Sequence, residues 1–204
     1  MIKKKIFITP GIYEDKNKMI YSRLDLNWYS FAKKNNYEVL STFDFNHAKK
    51  LILNNKIDGI IFSGGGNISK IVKNKINLLR DRFEIKLIKL ALKNKIKSLF
   101  VCRGMQLLAA YNKLKISKIN GHVTKNHKMH LNKRFINTSR NSIKTNSFHN
   151  YSIFKTNNKF LVLGHHKDGS IEMMKKNNFL AVMFHPERKS YDQKFINNII
   201  KKHF

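Results

Sequence analysis

Short apolar runs alternate with amphipathic stretches along the first half of the chain. The apolar runs are bounded by glycine, proline or polar residues, which is typical of buried strands, and they cover residues 5–9, 37–40, 58–62 and 98–101. Between them, apolar side chains recur at helical spacing, which predicts helices over residues 23–34, 47–54 and 80–93 and another after residue 102. This alternation predicts an α/β fold in which helices cover both faces of a mostly parallel sheet.

The second half of the chain has a different pattern. From residue 121 to 159 the periodicity weakens and Asn, Ser, Thr and His are frequent, which predicts a loop that faces substrate. Apolar runs then predict three short strands and an amphipathic stretch predicts a final helix, at residues 160–164, 171–174, 179–184 and 191–203. A hairpin turn is expected at Asp168-Gly169. Since the pattern contains no internal repeat or linker, we expect one domain over residues 1–204.

Charge is the most unusual feature of the composition. The 204 residues include 41 Lys and Arg against 12 Asp and Glu, which gives a formal net charge of +29. The basic residues are mostly lysine and are scattered from end to end, which indicates a compositional bias rather than a nucleic-acid surface. We therefore expect no specific nucleic-acid partner, whereas the positive field would favour an anionic small substrate.

Signals for export or membrane insertion are not found in the sequence. Met1-Ile2-Lys3-Lys4-Lys5 leads directly into the first apolar run, and no apolar run reaches membrane length. The single cysteine cannot form an internal disulfide, which agrees with a reducing compartment. We expect a cytoplasmic protein without a membrane partner.

The single cysteine lies where a predicted strand gives way to a predicted helix. Cys102 follows the apolar run 98–101, and Gly104 would let the helix approach the strand closely. This is the geometry of a nucleophile elbow. Taken alone, an apolar-flanked cysteine is more often a small core residue, so the interpretation depends on finding a base and an oxyanion site elsewhere.

Two other segments supply these groups. His185 and Glu187 flank a proline, so the imidazole could face the thiol while the carboxylate holds its second ring nitrogen. The strand 58–62 runs into Ser63 and three glycines, whose backbone N–H groups are suitable donors to an oxyanion. Simpler interpretations are an exposed turn for His-Pro-Glu and a flexible or phosphate-binding loop for the glycines, although neither a Walker nor a dinucleotide-binding pattern fits.

Three histidines, His122, His127 and His130, invite a metal interpretation. Their spacing matches no helical His-x-x-x-His site, and no carboxylate or cysteine lies close by in the sequence. We therefore expect no metal ligands here and assign these residues to the predicted substrate-facing loop.

Five motifs in sequence order carry a resemblance to a known family. They are Ser63-Gly64-Gly65, Cys-Arg-Gly-Met-Gln from Cys102, Asn-Ser-Phe-His from Asn146, Asp-Gly-Ser-Ile-Glu from Asp168, and Phe-His-Pro-Glu from Phe184. Together they closely resemble the class I glutamine amidotransferases, and within them the γ-glutamyl hydrolase branch, peptidase family C26. The resemblance covers about residues 58–188 and implies a flavodoxin-like three-layer sandwich. One position departs from the family, which usually has glycine where Phe100 stands.

The resemblance implies three groups of site residues. The nucleophile, its base and the carboxylate that orients the base would be Cys102, His185 and Glu187. The oxyanion hole would consist of the backbone N–H groups of Gly65 and Arg103. The glutamyl group would be bound by Gln106, Ser147 and Phe148. No cofactor and no metal are implied.

The implied reaction is hydrolysis of a γ-glutamyl amide through a glutamyl thioester on the cysteine. We expect a self-sufficient hydrolase; the alternatives are a glutaminase subunit that feeds ammonia to a separate synthetase, and a noncatalytic ligand-binding relative. A narrower resemblance, to small family members of surface-polysaccharide phosphoramidate pathways, implies hydrolysis of γ-glutamyl-CDP-amidate. The expected partners are a γ-glutamyl small molecule, which a nucleotide could extend, and a second copy of the chain.

Overall fold

The computed structural model describes residues 3–204, except for the side chain of Lys125. Over these residues the strands are β1 (Lys4–Ile8), β2 (Gly11–Glu14), β3 (Ile20–Arg23), β4 (Tyr37–Leu40), β5 (Gly59–Phe62), β6 (Ser98–Val101), β7 (Ser117–Lys118), β8 (Val123–Leu131), β9 (Ser142–Phe148), β10 (Tyr151–Ser152), β11 (Leu161–His165), β12 (Ile171–Lys176) and β13 (Phe179–Val182). The helices are α1 (Leu26–Asn35), α2 (Phe45–Asn54), α3 (Lys75–Lys93), α4 (Arg103–Tyr111) and α5 (Gln193–His203).

Nine of these strands form one sheet, in the order β4-β1-β5-β6-β13-β12-β11-β8-β9. The pairs from β4 to β13 are parallel, and those from β13 to β9 are antiparallel. A separate hairpin joins β2 to β3, and β7 pairs with β10. The predicted α/β fold with its parallel centre is confirmed, and the expected Asp168-Gly169 turn joins β11 to β12.

Side chains of the central strands alternate between two apolar layers. On β5, Ile60 and Phe62 enter one layer and Ile61 enters the other, as the period of a strand requires. Helices α2, α3 and α4 bury apolar side chains in the first layer, whereas α1 and α5 bury theirs in the second. The three layers therefore place the carboxyl ends of β5, β6 and β13 at one edge, where sites of such sheets lie.

Helices begin where a polar residue caps them rather than where apolar periodicity begins. The Asp25 carboxylate accepts a hydrogen bond from Asn27 N at 2.9 Å, so α1 begins at Leu26, and Arg23 ends β3 instead of starting the helix. Likewise, Asn74 caps α3, which begins one and a half turns before the predicted start. Among residues 3–204, none of the helices has the length and hydrophobicity needed to cross a bilayer.

The prediction of a loop over residues 121–159 is wrong, because β8 and β9 form a long antiparallel pair there. The alternation of buried and exposed positions is present, with Met129 buried and Lys128 exposed. However, several inward positions carry polar side chains, including His127, Thr145 and Ser147. A pattern read from apolar residues alone therefore failed to show these two strands.

Candidate active site

Cys102 occupies the tight turn between β6 and α4. Its φ of 49° and ψ of −101° lie in a region that residues with a side chain rarely adopt. Its N–H donates to the Val182 carbonyl at 2.8 Å, which ties the turn to β13. A Cβ at Gly104 would lie 2.4 Å from the Phe62 carbonyl oxygen, so only glycine permits the approach of α4 to β5. The predicted elbow is confirmed.

Phe100, which stands where the family usually has glycine, does not crowd this turn. Its buried ring stacks on Phe62 with centroids 4.3 Å apart and an interplanar angle of 2°. Phe100 belongs to the first apolar layer, whereas Cys102 lies at the edge of the second. The extra ring therefore fills the core and leaves the site unaltered.

The residues after β13 bring an imidazole and a carboxylate to the elbow. His185 Nδ1 lies 2.7 Å from Glu187 Oε1, and both side chains are almost fully buried. A Cβ added to Gly64 would lie 2.6 Å from His185 Cε1 and 3.4 Å from Cys102 Cβ. The glycine loop, the cysteine and the His-Pro-Glu segment therefore meet at one point, as the sequence predicted.

The charge state of His185 follows from these neighbours. Burial lowers its pKa, but the neighbouring Cys102 and the bond to Glu187 raise the pKa to about 10. The imidazole is therefore protonated at neutral pH. A thiolate beside an imidazolium is the reactive form of a cysteine nucleophile.

The loop after β5 is held in place by Arg80. Its guanidinium donates to the carbonyl oxygens of Gly65, Ser63 and Gly64 at 2.8, 2.8 and 3.1 Å. Because the carbonyl and N–H of a trans peptide point in opposite directions, the Gly65 N–H is directed away from Arg80. Arg103 begins α4, so its backbone N–H has no acceptor within the helix. These are the two N–H groups predicted to form the oxyanion hole.

A buried charge network anchors Arg80. Its Nε donates to Glu84 Oε1 at 3.0 Å, and the Arg103 guanidinium binds both Glu84 and Asp81. Asp81 also accepts the backbone N–H of Ser69 at 2.7 Å, beyond the glycine loop. Burial raises the pKa of Glu84, but the two guanidinium groups more than offset it and keep that pKa below its usual range. The network thus fixes the glycine loop relative to α4.

The residues predicted to bind the glutamyl group lie close to this centre. The Phe148 ring is 5.9 Å from the His185 ring and partly exposed. Ser147 is fully buried, and its hydroxyl donates to the His122 carbonyl at 2.6 Å. Gln106 is also buried, and its Nε2 donates to the Tyr151 carbonyl at 3.0 Å. Their role in binding substrate stays a prediction.

The segment that contains Cys102, His185 and Glu187 also matches a known family. The family model for peptidase C26 matches residues 39–187, which include the elbow, the glycine loop and the His-Pro-Glu segment. The chain belongs to the peptidase C26 family. Its members are hydrolases with the class I glutamine amidotransferase-like fold, so this chain is a hydrolase of that fold.

Individual relatives agree with this assignment. The C26 chain is 33% identical over 149 residues to a γ-glutamyl-CDP-amidate hydrolase of Campylobacter jejuni subsp. jejuni serotype O:2, a match that covers 72% of this chain and 68% of the relative. Its fold is similar to that of a Thermotoga maritima glutamine amidotransferase, with a TM-score of 0.71 and 13% identity over 100% of this chain and 97% of that one. A Thermoplasma acidophilum protein assigned to the GMP synthases gives a TM-score of 0.74 and 14% identity over 100% and 93%.

The sequence of this C26 protein did not identify Arg80, which holds the glycine loop, or Glu84, which anchors Arg80. Arg80 and Glu84 lie one turn apart on α3, and their charges face inward. A predicted helix in which an Arg and a Glu interrupt the apolar face was the available signal. It was weak, because charge pairs at this spacing are usually solvated.

A small cavity of about 40 Å³ opens beside His185 and Glu187. Its lining includes Gly64, Gly65 and His185, together with Arg23 and Arg188. The Arg23 guanidinium carbon lies 3.6 Å from the centroid of the Tyr13 ring in the β2–β3 hairpin. Two cations therefore stand at the edge of the site.

Proposed function

We propose that this hydrolase cleaves γ-glutamyl amides, with Cys102 as nucleophile, His185 as acid and base, and Glu187 as the group that orients His185. The observation that carries the proposal is that His185, bonded to Glu187, and Cys102 at a strained elbow both lie against Gly64. Acyl transfer to sulfur requires a cysteine as nucleophile and a neighbouring proton donor. Cys102 and the buried, protonated imidazole of His185 are suited to these two roles.

The reaction proceeds in two steps. The Cys102 thiolate attacks the side-chain carbonyl of the substrate, and the oxyanion accepts hydrogen bonds from the backbone N–H groups of Gly65 and Arg103. His185 then gives its proton to the departing nitrogen as the C–N bond breaks, which leaves a glutamyl thioester. In the second step His185 takes a proton from water, the resulting hydroxide attacks the thioester, and glutamate leaves with Cys102 restored as a thiolate.

The narrower proposal for the substrate is γ-glutamyl-CDP-amidate. The C. jejuni relative, a γ-glutamyl-CDP-amidate hydrolase that is 33% identical over 149 residues, supports it. Arg23 and Arg188 support it independently, because guanidinium groups at the cavity edge are suitable partners for the phosphates of a nucleotide. The high positive charge of the chain would also attract such a substrate.

Glutamate release from a set of γ-glutamyl compounds tests both levels of the proposal. The purified chain would be incubated with γ-glutamyl-CDP-amidate, γ-glutamyl-γ-aminobutyrate and glutamine, and glutamate would be measured over time. We expect Cys102→Ala to release no glutamate from any substrate that the unmutated chain cleaves. Iodoacetamide should modify the unmutated chain once, because the chain has one cysteine.

The outcomes separate the two levels. If the Cys102→Ala chain kept even about a tenth of the rate, the nucleophile assignment would be wrong, since removing a covalent nucleophile costs several orders of magnitude. If γ-glutamyl-γ-aminobutyrate were cleaved faster than γ-glutamyl-CDP-amidate, the proposal of a γ-glutamyl amide hydrolase would be supported. The narrower proposal for its substrate would be wrong.

A further inference from the structure

A second group of buried polar side chains lies behind the active site. His122, His127 and His149 surround the Glu172 carboxylate, and all four residues are at most 3% exposed. Glu172 Oε1 lies 3.5 Å from His122 Nδ1, 3.3 Å from His127 Nε2 and 3.6 Å from His149 Nε2. The sequence places no carboxylate near His122, His127 or His130 in the chain, but in the structure Glu172 lies beside His122 and His127.

The atoms that converge in this cluster are unpaired. Within residues 3–204, neither the three histidine nitrogens nor Glu172 Oε2 has a hydrogen-bond partner of acceptable geometry. Buried polar atoms are nearly always paired, so four such atoms in one place need an explanation. An ion that binds them together would provide it.

The opposite ring nitrogens of two histidines are already held. His122 Nε2 lies 2.8 Å from Asp168 Oδ2, and His149 Nδ1 lies 3.2 Å from the Tyr151 carbonyl oxygen. An imidazole that donates one N–H to a carboxylate or carbonyl presents a lone pair on its other nitrogen. Histidines that bind metals are usually oriented in this way.

The spacing of the donor atoms suits a small tetrahedral ion. Two ligands that are each about 2.0–2.1 Å from a tetrahedral zinc lie about 3.3 Å from one another. The distances to Glu172 Oε1 are close to this value, and donor atoms of His122, His149 and Glu172 all lie within 4.8 Å of one another. Imidazoles combined with one carboxylate are a ligand set that Zn²⁺ favours over Mg²⁺ or Ca²⁺.

We propose that His122, His149 and Glu172 bind a Zn²⁺ ion. Asp168, whose Oδ2 lies 2.8 Å from His122 Nε2, is exposed and lies between the cluster and solvent. Ion binding would fix the end of β9, where Phe148 faces His185 and His149 is a ligand. The ion would therefore hold Phe148 and His149 in position and would take no part in the chemistry.

Metal binding to the Cys102→Ala chain tests this proposal, because the thiolate that could otherwise bind zinc is then removed. The tag-free protein would be freed of metal with a chelator and titrated separately with Zn²⁺ and Co²⁺. We expect one ion per chain, the visible absorption of tetrahedral Co²⁺, and a Tm that rises with added Zn²⁺ and falls again on chelation.

Two substitutions locate the ion. In the same background, Glu172→Gln and His149→Ala should each weaken Zn²⁺ binding at least about tenfold. The control is His165→Ala, since His165 is an exposed histidine on the neighbouring strand that stacks on His130 outside the cluster. This control should bind Zn²⁺ as its parent does.

Two results would overturn the proposal: a parent chain that binds neither ion and whose Tm does not respond to Zn²⁺, or Zn²⁺ binding that Glu172→Gln leaves unchanged. The first result would mean that the cluster is a set of buried charges without a metal. If Glu172→Gln failed to fold, the chelation and re-addition experiment on the parent would still decide. No turnover is measured, so the outcome is independent of the proposed reaction.

Discussion

The side-chain amide of Asn146 forms two hydrogen bonds with the backbone of His185. Its Nδ2 donates to the His185 carbonyl at 2.8 Å, and the His185 N–H donates to Asn146 Oδ1 at 2.8 Å. Asn146 is itself buried in β9, and its backbone N–H donates to Ser190 Oγ at 3.0 Å. One residue of the antiparallel half of the sheet therefore sets the position of the imidazole beside Cys102.

Replacing Asn146 should impair the reaction without removing any reacting group. We expect Asn146→Ala to lower kcat by up to about 100-fold, because a small displacement of the base disturbs its alignment with the thiol. Asn146→Asp keeps the acceptor and loses the donor, so its loss should be smaller. Steady-state kinetics and the Tm of each variant would be compared with Asn141→Ala, an exposed position just before the same strand. An unchanged kcat in Asn146→Ala would show that the strand alone holds His185.

The two members of the His-Pro-Glu segment should differ in importance. We expect His185→Ala to lower kcat/KM by about three orders of magnitude or more, because both proton transfers are lost. Glu187→Gln should cost less, since Glu187 orients the imidazole and does not touch substrate. Glu38→Gln removes an exposed carboxylate from β4 and is the charge control. A Glu187→Gln chain as inactive as Cys102→Ala would mean that Glu187 does more than orient.

The raised pKa of His185 predicts the alkaline limit of activity. Since this pKa is raised to about 10, the imidazolium that protonates the leaving group is lost only as the pH rises through about 10. We expect kcat/KM to hold across neutral and mildly alkaline pH and then to fall with a midpoint near that value. A midpoint near neutral pH would contradict the ion pair.

The stability of the folded chain should also depend on the protonation of His185. The folded pKa lies above the unfolded value of about 6.5, so protonated His185 contributes stability that is fully present below that pH and is lost as the pH rises through about 10. In Cys102→Ala the main attraction to the imidazolium disappears, and the His185 pKa should drop. Titration of the His185 ring proton by NMR in both chains would measure this drop directly.

Arg80 should matter to the rate through the glycine loop. Arg80→Lys keeps the charge beside Glu84 but has one nitrogen in place of the two, Nη1 and Nη2, that donate to the three carbonyls. We expect kcat to fall about tenfold or more, as for loss of an oxyanion donor, with a smaller change in KM. Arg82→Lys, exposed on the same helix, is the control. A lower Tm with unchanged kcat would assign Arg80 to folding alone.

Ionic strength should distinguish a phosphorylated substrate from a small amide. Raising salt from about 20 to 200 mM shortens the Debye length to roughly 10 Å or less and screens steering by exposed charges. We expect kcat/KM for γ-glutamyl-CDP-amidate to fall markedly and that for γ-glutamyl-γ-aminobutyrate to change little. Arg23→Gln should reduce the difference more than Arg82→Gln, since Arg23 lines the cavity. If kcat/KM for the two substrates depended equally on salt, the basic residues would have no role in attracting substrate and would reflect compositional bias alone.

The elbow at Cys102 and the strands around it were predictable from residues that are close together in the sequence. Cys102 and Gly104 identify a strained turn, because the turn needs a close helix approach that Gly104 alone allows. The short strands around it are apolar on both faces, since helices cover the sheet on both sides, and such runs are visible without any contact information. The family resemblance and the His-Pro-Glu segment depend on residues that are near one another in the chain.

What only the tertiary structure decided depends on residues far apart in sequence. The partner of Arg103 is Glu84 on another helix, and the carboxylate that lies among the buried histidines is Glu172 on β12. No local pattern specifies such pairs, because they follow from how helices dock and how strands align in register. The β8–β9 pair was missed for a related reason: its inward side chains are polar and gain their burial from those distant partners. The elbow and the segments that meet at it were therefore predictable from local sequence, whereas the charge network and the histidine cluster required the assembled sheet.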